Sequence, residues 1–115
     1  MLIFYSIYLE FVRKSVAHLP GVSEKLCFET PAFYAGDKLF ARFKEDGETL
    51  VIYTEEREKW MEADPETFFI TDHYKNYKYM LIALGSVEQP VLKDLLTAAW
   101  KKRATKRLLK EFEIL

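Results

Sequence analysis

The chain has 115 residues, half of them hydrophobic and 30% charged, with only four Gly and four Pro and a formal net charge of −1. That composition excludes a disordered or low-complexity chain, and the length fits one domain with a real core but not two. The charge balance gives no bulk attraction to nucleic acid, and the lone Cys27 excludes an internal disulfide and suits a reducing cytosol.

The opening MLIFYSIYL has no basic leader or small-residue cleavage site, is interrupted by Glu10, and falls far short of the roughly 20 residues of a membrane span. It reads as the start of a buried helix in a cytoplasmic protein with no membrane partner. Phe4, Ile7, Tyr8, Phe11, Val12 and Leu19 recur at helical spacing and predict an amphipathic helix over residues 4–18. Leu19-Pro20-Gly21 ends it, and Arg13, Lys14 and His18 complement the dipole at its C-terminus.

Lys25 to Thr54 reads as three strands joined by two tight turns, Gly36-Asp37 and Asp46-Gly47, each between runs of aromatic and β-branched residues. The turns set a register that pairs Ala35 with Lys38, Phe33 with Phe40, Lys44 with Thr49, Arg42 with Val51 and Phe40 with Tyr53. Alternation then puts Tyr34, Leu39, Ala41, Phe43, Leu50 and Ile52 on the core face. The other face carries Phe33, Phe40 and Tyr53 as an aromatic row beside Lys38, Arg42 and Lys44. That row is either a stacking platform for nucleotides in an electropositive field, or a set of cross-strand packing groups covered by another part of the chain.

Thr54 is placed to cap a short helix with Glu55, Glu56 and Glu58 in its first turn and Trp60, Met61 and Ala63 on its buried side. Asp64-Pro65-Glu66-Thr67 turns the chain into a fourth strand, Phe68 to Thr71. A polar, aromatic-rich loop from Asp72 to Lys78 follows, then a fifth, central strand from Tyr79 to Leu84. The last predicted helix runs from about Glu88 to Arg103, with Pro90 in its first turn and Leu92, Leu95, Leu96, Ala99 and Trp100 as its buried stripe. The most basic stretch starts in its last turn and runs on, from Lys101 to Lys110. It either reaches phosphates or is an ordinary helix C-terminus with a solvated end anchored by Leu108, Leu109 and Phe112. Charge is polarised along the chain. Thr49–Glu66 holds two basic and six acidic residues, Ala99–Leu115 six basic and two acidic.

No Gly-rich phosphate loop, paired Cys, His-x-x-x-His or nucleophile elbow is present, so no cofactor, metal or catalytic residue is expected. Asp72-His73 is the most site-like pair, and turn formation accounts for it. An enzyme built on His73 requires a pocket where it faces a carboxylate or nucleophile. Cys27 reads as a small hydrophobe in a strand.

Leu19-Pro20-Gly21-Val22, Thr30-Pro31-Ala32-Phe33, Lys38-Leu39-Phe40-Ala41, Asp64-Pro65 and Phe69-Ile70-Thr71-Asp72-His73-Tyr74, in that order, resemble the MmcQ/YjbR-like proteins of bacteria. Trp100 with Lys106-Arg107-Leu108 is similar to that family's closing motif. The resemblance implies a CyaY-like fold and, through a double-wing arrangement of hairpins, DNA binding; it brings no catalytic residues. Thr105 stands where the tail motif often has Pro, and Tyr53 where relatives often carry a basic residue.

These readings converge on one α+β domain over residues 1–115, an antiparallel sheet of about five strands with helices on one face, in the order α-β-β-β-α-β-β-α, and a basic tail from about residue 101. The expected function is non-enzymatic DNA binding through phosphate contacts from Lys38, Arg42, Lys44, Lys75, Lys78, Lys101, Lys102, Arg103, Lys106 and Arg107. The alternative is a protein-interaction module that uses the aromatic row or the polarised charge.

Overall fold

The computed structural model describes residues 7–114. Its elements run α1 (Ile7–Val16), β1 (Val22–Cys27), β2 (Thr30–Ala35), β3 (Lys38–Phe43), β4 (Thr49–Tyr53), α2 (Arg57–Ala63), β5 (Phe68–Phe69), a 3-10 turn (Asp72–Tyr74), β6 (Tyr79–Ala83), α3 (Gln89–Arg103) and α4 (Lys106–Glu113). The six strands form one antiparallel sheet in the order β1-β2-β3-β4-β6-β5. The fold class is the α+β one expected, with one strand and one helix more, β1 and α4. β6 is interior to the sheet, and Met80, Leu81 and Ile82 are buried, as its unbroken apolar run requires.

The extra strand is β1. Its turn to β2 falls on Phe28 and Glu29, both in the left-handed region at φ 53° and 66°. Neither residue favours that conformation, so the sequence carries no hairpin signal there. The β3–β4 turn keeps the expected register: Arg42 lies opposite Val51, and the Lys44 N–H donates to the Thr49 carbonyl at 2.9 Å.

The β2–β3 pair departs from expectation. Ala35 lies opposite Lys38 as anticipated and Tyr34 opposite Leu39, but Phe33 then faces Ala41, so Phe40 is an extra residue in β3. A bulge of this kind reverses the alternation on either side of it. Phe33 and Phe40 are therefore in the main core, whereas Tyr34 and Leu39 are not. The aromatic row is a set of packing groups: Phe33 and Phe40 are buried, and Tyr53 is half-buried against the same core.

That core lies between the sheet and the helices. Leu9, Val12 and Val16 of α1, Leu92, Leu95, Leu96, Ala99 and Trp100 of α3, and Leu108 of α4 close over Phe33, Phe43, Leu50, Ile52 and Ile82. The buried face of α1 is thus Leu9–Val12–Val16, with Ile7 exposed and Tyr8 and Phe11 at the margin; Phe4 lies outside the described residues. α2 buries no residue fully: Trp60 and Met61 lean on the core, and Ala63 is exposed rather than buried as expected. The predicted strand from Phe68 to Thr71 is reduced to two residues.

The C-terminal chain from Lys106 folds as α4. Thr105 accepts a hydrogen bond from the Leu108 N–H on its hydroxyl at 3.3 Å, the geometry of a helix N-cap. Leu108 packs on Gly21, where a Cβ would lie 2.6 Å from Leu108 Cδ2 and where φ is +68°, so only glycine fits. Trp100, fully buried, donates from Nε1 to the Pro20 carbonyl at 3.0 Å. No helix among the described residues is long and apolar enough to cross a membrane.

Candidate nucleic-acid interface

Cations concentrate where α3 ends and α4 begins. Lys101, Lys102 and Arg103 occupy the last turn of α3, where the helix dipole favours positive charge. Lys106 and Arg107 occupy the first turn of α4, where the dipole opposes it. Both are exposed; Arg107 has an ion pair with Glu111 at 3.8 Å, and Lys106 has none among the described residues. Lys101 lies over the Phe112 ring, Nζ to centroid 5.3 Å.

Arg103 ties this corner to the sheet. Its Nε donates to the Leu39 carbonyl at 3.1 Å, which also accepts from the Tyr79 hydroxyl at 3.2 Å, and its guanidinium lies 4.8 Å from the Tyr53 ring. Lys38, exposed, sits between Leu39 and the Gly36 turn that faces Leu108. Glu55 then gathers two more cations. It accepts from the Tyr53 hydroxyl at 2.9 Å and pairs with Lys102 at 3.5 Å and Lys78 at 3.7 Å. The Tyr53 hydroxyl first, and then the Lys102 ammonium, hold the Glu55 carboxyl below the usual carboxylate range. On Tyr53, burial and then the bond to Glu55 push the phenol up.

Arg57 places Lys75 and Lys78. One guanidinium nitrogen donates to the carbonyls of Tyr74, Tyr77 and Tyr79 at 2.8, 2.6 and 3.1 Å, and the other to that of Lys75 at 2.6 Å. This folds the loop against α2 and leaves a groove of about 400 Å³ lined in part by Glu55, Lys75 and Lys78. Sequence reasoning counted Arg57 only as a charge in an acidic run. The hydrogen-bonding partners that give it this role lie up to 22 residues away, and no local signal marks them.

Lys78 and Lys102 therefore meet at Glu55 and Lys75 lines the groove beside it; Arg103 ties the end of α3 to the start of β3, where Lys38 lies, and Lys101, Lys106 and Arg107 follow along the α3–α4 junction. Arg42 and Lys44 do not join them. Arg42, on the sheet face away from the core, is only 6% exposed. One of its terminal nitrogens donates to the Tyr74 hydroxyl at 2.9 Å, the other lies 3.6 Å from Glu45, and the exposed Phe28 ring sits 5.6 Å from its Cζ. The expected solvent-facing cation at that position is instead an internal one. Lys44 closes the opposite end of β3, beside Glu45 at 3.9 Å.

His73 lies in the exposed 3-10 turn with its ring 4.7 Å from Tyr74 and 6.3 Å from Tyr77. Cys27 is half-buried in β1. Among the described residues no three His, Cys, Asp or Glu side chains group as a metal site requires.

A family model described as YjbR matches residues 17–102. An uncharacterised protein of Mycobacterium bovis and an uncharacterised protein of Mycobacterium tuberculosis are each 28% identical over 78 residues, 68% of this chain and 54% of theirs. The chain thus spans about half the length of the curated relatives it matches. The crystal structure of a Deinococcus radiodurans protein with the domain DUF419 superposes with a TM-score of 0.72. It covers 90% of this chain and 86% of that one at 24% identity, a likeness of fold.

Proposed function

The chain belongs to the YjbR family, and on that footing we propose that it is a small non-enzymatic domain that binds DNA through phosphate contacts without sequence preference. The contacts come from the α3–α4 corner and its neighbours: Lys101, Lys102, Arg103, Lys106 and Arg107, with Lys38, Lys75 and Lys78. The observation that carries this reading is the pair Lys106 and Arg107 at the start of α4. Cations there work against the helix dipole; Glu111 offsets this for Arg107 alone, and Lys106 has no carboxylate partner among the described residues, a charge that a backbone phosphate opposite the pair would meet. Arg42 and Lys44 are left out of the interface, the first because it is buried and engaged, the second because it lies at the far end of β3.

The test is fluorescence anisotropy of a labelled duplex titrated across salt, with a variant carrying Gln at Lys101, Lys102, Arg103, Lys106 and Arg107. Affinity is expected to fall with salt at a log–log slope of about −0.9 per phosphate contact, and the variant to show a shallower slope. Absence of binding at low salt, or an unchanged slope in the variant, refutes the corner as the site.

A second reading, a protein-interaction module, is favoured by one observation. Leu26 and Phe28 on the edge strand and its turn are 73% and 81% exposed, unusual for large apolar side chains placed two residues apart. Loss of binding to a protein partner in Leu26→Ser/Phe28→Ser, with DNA binding absent throughout, is the outcome that selects this reading.

A further inference from the structure

α2 is too short to bury a residue fully and is propped on the sheet by Trp60, whose ring lies 5.2 Å from that of Phe68. Between α2 and α3 this leaves a cleft of about 450 Å³. Its apolar lining is Trp60 and Tyr53 with Leu95 and Ala99 of α3, and its charged lining is Glu55, Glu56, Asp94 and Lys102.

The charges are not equally engaged. Glu55 is held by the Tyr53 hydroxyl, Lys102 and Lys78. Glu56 has only the exposed Lys59, at 3.9 Å. Asp94 has neither a hydrogen bond nor an ion pair among the described residues. Two exposed carboxylates, Glu56 held only by a long contact to Lys59 and Asp94 by none among the described residues, therefore face an apolar, ring-lined cleft from the start of α2 and from α3. The chain's own cations already use each kind of wall: Lys59 Nζ lies 5.4 Å over Trp60, the Arg103 guanidinium 4.8 Å from Tyr53, and the Lys102 ammonium 3.5 Å from Glu55. An anion entering here meets three carboxylates against one ammonium, that of Lys102, which is already engaged with Glu55, and a neutral molecule leaves Asp94 without a partner.

We propose that this cleft is a binding site for a small organic cation, an ammonium or guanidinium group carried on an apolar body. The body lies on Trp60, Leu95 and Ala99, with ring–cation attraction adding to the burial, and the charge sits between Glu56 and Asp94. The site borders the phosphate-binding corner and shares Lys102 and Glu55 with it, but its test relies on Glu56, Asp94 and Ala98, which lie outside that corner.

Of the two tryptophans, Trp100 is fully buried, so a ligand in the cleft is reported by Trp60. The full chain is titrated with benzylammonium, and with benzyl alcohol and benzoate as neutral and anionic counterparts, following tryptophan emission and amide shifts in NMR. Benzylammonium is expected to give a saturable change centred on Trp60, Ala98 and Ala99. The alcohol and benzoate are expected to bind at least about tenfold more weakly, and Glu56→Gln/Asp94→Asn to weaken benzylammonium by a similar factor. A second variant, Ala98→Leu, fills the mouth from an exposed helical position and is expected to abolish binding with both carboxylates in place. Benzyl alcohol binding as well as the amine, undiminished binding in either variant, or no saturable change with benzylammonium overturns the proposal.

Discussion

At the β3–β4 turn, Asp46 accepts from the N–H groups of Glu48 and Thr49 at 2.8 and 2.9 Å on one oxygen and from the Thr49 hydroxyl at 2.8 Å on the other. Burial by itself raises its pKa, but the Glu48 N–H, the Thr49 hydroxyl and the Thr49 N–H all favour the charged form, and the net result is a carboxyl below its ordinary value. A group whose folded pKa is depressed adds stability above its unfolded pKa of about 3.9, and that stability is lost as pH falls through the folded value. Asp46→Ala is therefore expected to cost about 1 kcal/mol at neutral pH. Urea unfolding repeated near pH 2.5 should show the gap between variant and parent narrowing. An equal gap at both pH values rules out the charge as the source. Asp46 is legible in sequence as a turn residue, but not its three bonds, which depend on how the loop closes. Arg42 is the converse case. Its basic character is plain in sequence, and its burial against Tyr74 is not.

The hairpin β1–β2 turns on two residues ill suited to it. Phe28 and Glu29 both take φ > 0, at a cost of about 1 kcal/mol or more that Asn-Gly removes. Phe28→Asn/Glu29→Gly is expected to raise stability by about 1 kcal/mol in chemical denaturation. A fall instead identifies the Phe28 ring over Arg42 as worth more than the backbone strain. The same strain explains why sequence reasoning found two turns and missed the third: glycine marked the other two, and nothing marked this one. The bulge at Phe40 had a wider effect. A single extra residue exchanged the faces of Phe33 and Tyr34 and moved Leu39 out of the core, because side-chain alternation has a period of two and carries any offset to the strand's end.

Across the whole molecule, the C-terminal helix belongs to the fold although the family match ends at residue 102. Leu108 is 4% exposed in the main core, and the Phe112 ring lies 5.2 Å from that of Trp100. A chain ending at Ala104 is expected to lose about 3 kcal/mol or more, as for removal of a large buried side chain, and to melt correspondingly lower. An unchanged melting temperature shows that α4 packs without stabilising. This separates structure from binding at the corner, since Gln at Lys106 and Arg107 removes charge while retaining the helix.

Sequence alone determined what is local. Apolar period and length set the first three helices and most strands but not α4, glycine and aspartate set two turns, and the polarity of charge along the chain was plain by counting. Only the tertiary structure decided which side of each strand faces the core and which cations remain in water. The contacts that decide it join residues far apart in the chain: Arg42 to Tyr74 across 32 residues, Arg103 to the Leu39 carbonyl across 64, and Trp100 to Pro20 across 80. A pattern read along a few neighbouring residues holds no information about such partners. The basic corner and the cleft beside it therefore exist only once the chain has closed on itself.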